Sequence, residues 1–314
     1  MKELRIVFMG TPDFAVASLN ALVETNYNIV GVITAPDKPA GRGRKLNESA
    51  VKKYALSHGL EILQPVNLKN PEFLHKLESL RADLQVVVAF RMLPKQVWAM
   101  PKMGTFNLHA SLLPNYRGAA PINWAIINGD TKTGVTTFFI NENIDTGAII
   151  KQESTEISKS MTAGELHDKL MILGSKTVVE TVEIIRKGNI NPIKQKEGDF
   201  NPAPKLNKEN CRIQWGQTLE KIYNQIRGLN PYPGAWTMLH NNGQETEIKI
   251  FNGIMVPEEH HMTPGSVLVS KKQLRIAAEN GFFDITDLKM AGKKRMDAIS
   301  LLNGYEFHEG CKLF

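Results

Sequence analysis

A chain of 314 residues is long enough for two domains of ordinary size, each able to bury a core without staples. Its 42% hydrophobic and 22% charged residues are those of a globular protein, and no stretch approaches the ~18 apolar residues that a membrane span needs. The net charge of +6 is uneven: from Leu206 onward 13 Lys and Arg face 12 Asp and Glu, so the excess lies earlier, in residues 38–45 (KPAGRGRK) and 186–205, and suits an acidic partner such as nucleic acid.

The first half alternates buried-type strands with helical stretches. In chain order the pattern predicts a strand over 4–9, a helix over 13–24, a strand over 28–34, a helix over 50–58, and strands over 84–90 and 105–110. Continuous apolar strands interleaved with helices give a doubly wound, mostly parallel Rossmann-like α/β sheet. Thr11 can cap the first helix, Pro12 fits its first position and Asp13 suits its positive end. A long helix over 163–187 then leads into an aperiodic run rich in Pro, Asn, Gly and Lys. Beyond it a helix over 218–227 precedes short strands over 245–251, 265–269, 273–278 and 281–290, the hairpin-style signal of a small OB-like β-barrel. The expected organisation is a catalytic domain over 1–189, a linker over 190–205 and a barrel domain over 206–314.

Some chemistries are disfavoured at once. The turn after the first strand, MGTPDF, has one glycine where a dinucleotide fingerprint wants three. Cys211 and Cys311 lie far apart, outside any CxxC and without a His cluster, so reduced thiols and no metal are expected. The N-terminus turns polar at Thr11 and has no small-residue cleavage site, which makes a cytoplasmic location the expectation.

The informative stretch is TFNLHASLLPNYRGAAP, residues 105–121. Period two along a strand places Asn107 and His109 on one face while Phe106 and Leu108 take the other. Alone, an asparagine that satisfies a loop and a hydrogen-bonded core histidine are the commoner roles. Asp145, in NENIDTGAII, adds a third polar group, and an aspartate bonded to an imidazole would fix its tautomer, although an Asx turn before Gly147 accounts for it equally well. A carboxamide and an imidazole with no paired Ser or Cys suit an acyl transfer in which the substrate brings its own amine. The protein then supplies oxyanion donors and a group to move a proton.

These residues resemble a known family. NLHASLLPNYRGAAPINWAI with the later DTG is similar to the tetrahydrofolate-dependent formyltransferases. VFMGTPDFA, APDKPAGRGRKL, KLNKENCRIQW, RGLNPYPGAW and MAGKKRM extend the likeness over nearly the whole chain, towards members that act on methionyl-tRNA. The resemblance implies that Asn107, His109 and Asp145 are catalytic, with 10-formyltetrahydrofolate as formyl donor, initiator methionyl-tRNA as acceptor, no metal and a monomeric enzyme. It further implies that Ser111, Leu112, Leu113 and Pro114 contact the folate, and that Lys38, Arg42, Arg44 and Lys45 meet the acceptor arm of the tRNA, where glycines give the loop freedom and cations release counterions. Lys271, Lys272, Arg275 and residues 293–295 form two further basic clusters, equally readable as hairpin surface charge.

The likeness lapses at AFRMLP, where a glycine-containing FG-x-ILP is expected and Arg91 stands instead, and at Ala110, where glycine is more familiar. Two formyltransferase alternatives would act on glycinamide ribonucleotide or an amino-sugar nucleotide. The first predicts a chain ending after one domain, and the second leaves KPAGRGRK without a purpose. An RNA-binding protein without catalysis would lean on aromatic residues along basic strands, whereas the barrel sequence is nearly neutral.

Overall fold

The structure, a computed structural model, describes residues 3–40 and 45–314. In chain order its elements are β1 (Arg5–Gly10), α1 (Asp13–Glu24), β2 (Asn28–Ile33), β3 (Lys38–Ala40), β4 (Lys45–Asn47), α2 (Ala50–Ser57), β5 (Ile62–Leu63), α3 (Pro71–Ser79), β6 (Leu84–Val88), α4 (Lys95–Trp98), β7 (Thr105–His109), α5 (Pro121–Ile127), β8 (Lys132–Phe139), β9 (Ile149–Glu156) and α6 (Ala163–Arg186). There follow α7 (Leu219–Gly228), β10 (Ala235–Asn241), β11 (Gln244–Pro257), β12 (Val267–Val269), β13 (Leu274–Ala278), β14 (Gly281–Met290), β15 (Met296–Asp297), α8 (Ala298–Leu302) and β16 (Lys312–Leu313). The chain divides into two compact units. One comprises residues 1–118, 133–155 and 167–202, the other residues 119–132, 156–166 and 203–314.

The first unit holds a seven-stranded sheet in the order β5-β2-β1-β6-β7-β8-β9. Its members from β5 to β7 run parallel, and β8 runs antiparallel to β7. The strands β1, β2 and β6 are near-continuous apolar runs because both faces are covered, whereas the edge strand β9 alternates exposed polar residues. Val7 and Met9 of β1 pack with Ile33, Phe73, Leu77, Val87 and Val97, whereas Ile6 and Phe8, alternate along the strand, are fully buried on the other side. From β1 the chain winds outward to β2, then returns to place β6 on the other flank. This β1/β6 crevice is the switch point of the sheet, and ligands of such folds bind beyond the carboxyl ends of the strands there. The start of α1 differs from the sequence expectation: Pro12 holds the cap position with φ −83° and ψ 177°, and no side chain caps the helix. The carbonyl of Thr11 instead accepts the Val51 amide at 3.4 Å.

The second unit is an antiparallel, nearly closed barrel-like sheet in the order β12-β13-β14-β11-β10-β16, with β15 beside β14. The sequence Asn242-Gly243 makes the two-residue turn between β10 and β11, both residues at positive φ (49° and 73°), which matches the right-handed twist of the flanking strands. A bridge between Ser266 and Lys312 brings β16 to the chain just ahead of β12 and draws the two edges of the sheet together. Its interior is apolar and includes Trp215, Ile222, Ile226, Leu239, Ile250, Phe283 and Leu288, with α7 contributing a face of its amphipathic surface. α5 packs on α7 within this unit, and the Asn123 carboxamide donates to the Gly228 carbonyl at 2.8 Å.

The aperiodic segment expected as a linker carries no helix or long strand, yet it is fastened to the first unit. Ile193 and Ile149 exchange both backbone hydrogen bonds at 2.8 Å, and the Asn201 carbonyl accepts the Tyr116 amide at 2.6 Å.

Candidate active site

β7 positions the central pair. On one face Leu108 meets the backbone of α6 so closely that a Cβ on Gly174 would stand 2.7 Å from it. Thr137, opposite Leu108 on β8, shares a 2.8 Å hydrogen bond with Thr181 of the same helix. Asn107 and His109 therefore occupy the other face, in line with their cross-strand partners Phe138 and Thr136. Asn107 is half-buried, and its carboxamide takes no partner among the described residues. His109 is 7% exposed.

The connection from β8 to β9 delivers Asp145. It leaves β8 near the start of β7, with the Ile140 amide bonded to the Thr105 carbonyl at 2.8 Å, and folds back across the strand face. The Phe139 carbonyl lies 1.5 Å from where a Cβ on Gly147 would sit, so no side chain fits at that position. Asp145 itself has φ +53°, a left-handed conformation that an aspartate tolerates better than most residues. Its Oδ2 accepts the Gly118 amide at 2.9 Å and stands 3.9 Å from His109 Nδ1, with the two side chains 15% and 8% exposed.

That distance is right for an ion pair but outside hydrogen-bond range, so the expected direct bond between aspartate and imidazole is not made. The ring is held at its other edge, where Nε2 lies 2.8 Å from the Tyr116 carbonyl. A carbonyl can only accept, so Nε2 carries the proton and Nδ1 is turned towards Asp145. Tyr116 has φ +62°, the second left-handed non-glycine residue at the site, and this conformation aims its carbonyl inward. The sequence signal pointed to Asp145 for tautomer control, whereas a loop backbone performs it.

Residues 111–114 are held from within. Thr136 Oγ1 donates to the Ser111 carbonyl at 2.6 Å and accepts the Leu113 amide at 3.1 Å. Gln152 Nε2 donates to both Thr136 Oγ1 and the Leu113 carbonyl at 2.9 Å. Ser111 Oγ is turned inward to the Asn115 carbonyl at 2.6 Å, and Leu113 is buried with Phe138 and Ile149. The bond from Leu113 to Pro114 is cis. Of the four residues expected at the folate, only Leu112 and Pro114 retain partly exposed side chains.

Gln195 joins the site without any local sequence signal, together with Arg117 and Gly118 of the 105–121 stretch. The Gln195 carboxamide donates to the carbonyls of Asp145 and Gly147, both at 2.9 Å, and accepts Arg117 Nε and Nη2 at 3.1 and 2.5 Å. Arg91 is exposed at the end of β6 and donates to the carbonyls of Pro65 and Val66, tying the loop after β5 to the loop after β6.

Of the basic loop, Lys38 is exposed, Lys45 lies in β4, and Arg42 and Arg44 fall outside the described residues. The base of the β3–β4 hairpin is anchored: the Asp37 carboxylate receives Lys52 Nζ and, at 2.8 Å, Gln64 Nε2, while Lys52 also pairs with Glu48 at 3.0 Å. The Lys52 hydrogen bond, then that from Gln64, lowers the pKa of Asp37, and Asp37 in turn raises that of Lys52. In the barrel, Arg275 stands 3.7 Å from Glu258 and 4.0 Å from Asp284, and Arg295 grips Asp287 while lying 4.2 Å over the Phe251 ring. Both arginines are thus largely neutralised within the barrel. No group of three His, Cys, Asp or Glu among the described residues is placed to hold a metal ion.

This fold has counterparts. Residues 4–182 match the formyl transferase family model, and residues 205–306 match the model of the formyl transferase C-terminal domain. The chain belongs to the formyl transferase family. Relatives named methionyl-tRNA formyltransferase, from Flavobacterium johnsoniae and Bacteroides fragilis, are 55% and 53% identical, the first over 100% of both chains and the second over 99% of this chain and 98% of its own. Among solved structures, the N-formyltransferase from Helicobacter canadensis in complex with folinic acid and dTDP-3-aminofucose superposes with a TM-score of 0.67 at 22% identity, covering 90% of this chain and 98% of its own. At that identity it supports the family fold, a parallel sheet unit followed by a barrel, and no more. No helix among the described residues is long and apolar enough to cross a membrane.

Proposed function

We propose that the protein transfers the formyl group of 10-formyltetrahydrofolate to the amino group of methionine on initiator methionyl-tRNA. The observation that carries the acceptor is full-length identity of about 55% to relatives of that name. The chemistry rests on Asn107, His109 and Asp145, which lie together although Asp145 is far from the other two in sequence. The amine attacks the formyl carbon, a C–N bond forms, the bond to folate N10 breaks, and one proton passes from the amine to N10.

The unpartnered carboxamide of Asn107 donates to the oxyanion of the tetrahedral intermediate. His109, braced by the Tyr116 carbonyl, adds favourable electrostatics to that oxyanion. Asp145 faces the same edge and carries the proton between amine and N10. No serine or cysteine nucleophile is needed because the acceptor brings its own.

The segment after β7 suits a folate cosubstrate through its apolar side chains. Leu112 and Pro114 offer partly exposed apolar side chains beside the strand, and Ser111 and Leu113 shape the turn from inside. Residues 1–189 supply the catalytic part, and residues 206–314, joined through 190–205, assist in holding the tRNA. Lys38, Arg42, Arg44 and Lys45 meet its acceptor arm. The enzyme acts as a cytoplasmic monomer without a metal. The deciding experiment offers 10-formyltetrahydrofolate with methionyl-tRNA, glycinamide ribonucleotide or an amino-sugar nucleotide in parallel. Formylation of the first alone is expected, and transfer to either of the others at comparable kcat/KM overturns the choice of acceptor.

A further inference from the structure

Gln195 is buried, although the four residues before it and the four after it are all exposed. A long polar side chain turned inward from such a segment is held by its hydrogen bonds, and here every one is made. Oε1 accepts twice from Arg117, and Nε2 donates to the carbonyls of Asp145 and Gly147. The backbone pair between Ile193 and Ile149 fixes the segment two residues upstream.

These bonds close a ring around the site. From the Asp145 carbonyl it runs through the Gln195 carboxamide to the Arg117 guanidinium, along the backbone to the Gly118 amide, and back to Asp145 through its own Oδ2. The residue before Arg117 is Tyr116, whose carbonyl holds His109 Nε2. One amide thereby ties the backbone of Asp145, left-handed at φ +53°, to the loop that orients the imidazole. Asp145 Oδ2 and His109 Nδ1 face each other at 3.9 Å without a direct bond, so their separation is set by these two backbone segments.

We propose that Gln195 is a positioning residue for formyl transfer, keeping Asp145 in register with His109. This rests on the reading of Asp145 as a group that handles the reaction's proton. A misplacement of ~1 Å at a reacting group can cost about 10²-fold in rate, and the Gln195 carboxamide commits all its hydrogen bonds to Arg117, Asp145 and Gly147, leaving none for a substrate. Gln195→Leu is expected to lower kcat about 10- to 100-fold while the KM for formyl donor and for charged tRNA stays within about twofold.

The test is a double-mutant cycle with Asp145→Asn in single-turnover formylation of methionyl-tRNA, with thermal midpoints recorded for every variant. The expected result is that Gln195→Leu slows the wild-type background but adds nothing in the Asp145→Asn background. Equal losses in both backgrounds, or a wild-type kcat in Gln195→Leu, overturn the proposal. If Gln195→Leu does not fold, Gln195→Glu takes its place: it keeps the partner for Arg117 and loses both donors to the carbonyls, and the same cycle is read the same way. An Asp145→Asn enzyme close to wild-type activity would instead remove the catalytic role of Asp145, which is a separate outcome visible in the single variant.

Discussion

Asp145→Asn removes one charge and almost no volume. In the native site the carboxylate faces His109 Nδ1 at 3.9 Å, both side chains being mostly buried. With an effective dielectric of ~20, suited to partly buried groups, a full positive charge on the attacking amine about 4 Å from the carboxylate is worth about 4 kcal/mol. Its loss in a transition state in which that amine still bears the charge it must shed corresponds to about 10³ in rate. The fold should not suffer, because the asparagine Oδ1 can still accept the Gly118 amide now bonded at 2.9 Å. A thermal midpoint within about 3 °C of wild type is therefore expected. The assay is single-turnover transfer from saturating 10-formyltetrahydrofolate to methionyl-tRNA, with the midpoint measured on the same preparation. A folded Asp145→Asn enzyme within tenfold of wild type would refute the reasoning, since the carboxylate would then stabilise no charge in the rate-determining step.

Three further outcomes are expected. Asn107→Ala should lower kcat by about 10² to 10³ with little change in thermal midpoint, as removal of one oxyanion donor does; equal losses in kcat and in stability would make the residue structural. Arg42→Ala should weaken formylation of charged tRNA and flatten its dependence on salt by about one phosphate contact, read from log kcat/KM against log salt; an unchanged slope would place that loop away from RNA. Glu183 has its pKa lowered to about 2, chiefly by the Arg186 guanidinium and then by Lys187. A carboxylate with a depressed folded-state pKa contributes stability above its unfolded value, near 4.5, and loses it as pH falls through about 2. The difference in thermal midpoint between wild type and Glu183→Gln should be full at pH 6, shrink below pH 4.5 and vanish near pH 2, whereas a constant difference would show that packing, not charge, is at work.

What the sequence revealed follows from the range of each signal. The alternation in TFNLH separates Asn107 and His109 from Phe106 and Leu108, and the sheet keeps that separation because α6 covers the face that Leu108 takes. The buried runs of β1, β2 and β6 were legible for the same reason, as were the long amphipathic α6 and the hairpins of the barrel. The short helices α4 and α5 and the two-residue β5 give too few turns for a period to emerge. Gln195 was illegible in principle: its neighbours are exposed and aperiodic, and its partners lie 48 and 50 residues away in the Asp145 turn and 78 away at Arg117. Thr11 had the right chemistry for a cap, but the strand-to-helix turn placed Pro12 there instead.

The interleaving of the two compact units bears on how this enzyme can be dissected. Residues 119–132, α5 among them, group with the barrel although they follow directly upon the catalytic strand and its loop. Cleavage near residue 203 would leave a C-terminal fragment whose α7 has lost the α5 against which it packs and the Asn123 amide bonded to Gly228. Such an excised piece presents raw apolar surface to water and is a poor stand-in for the module within the intact chain. Grafting this barrel onto another transferase would require carrying over the α5 segment with it.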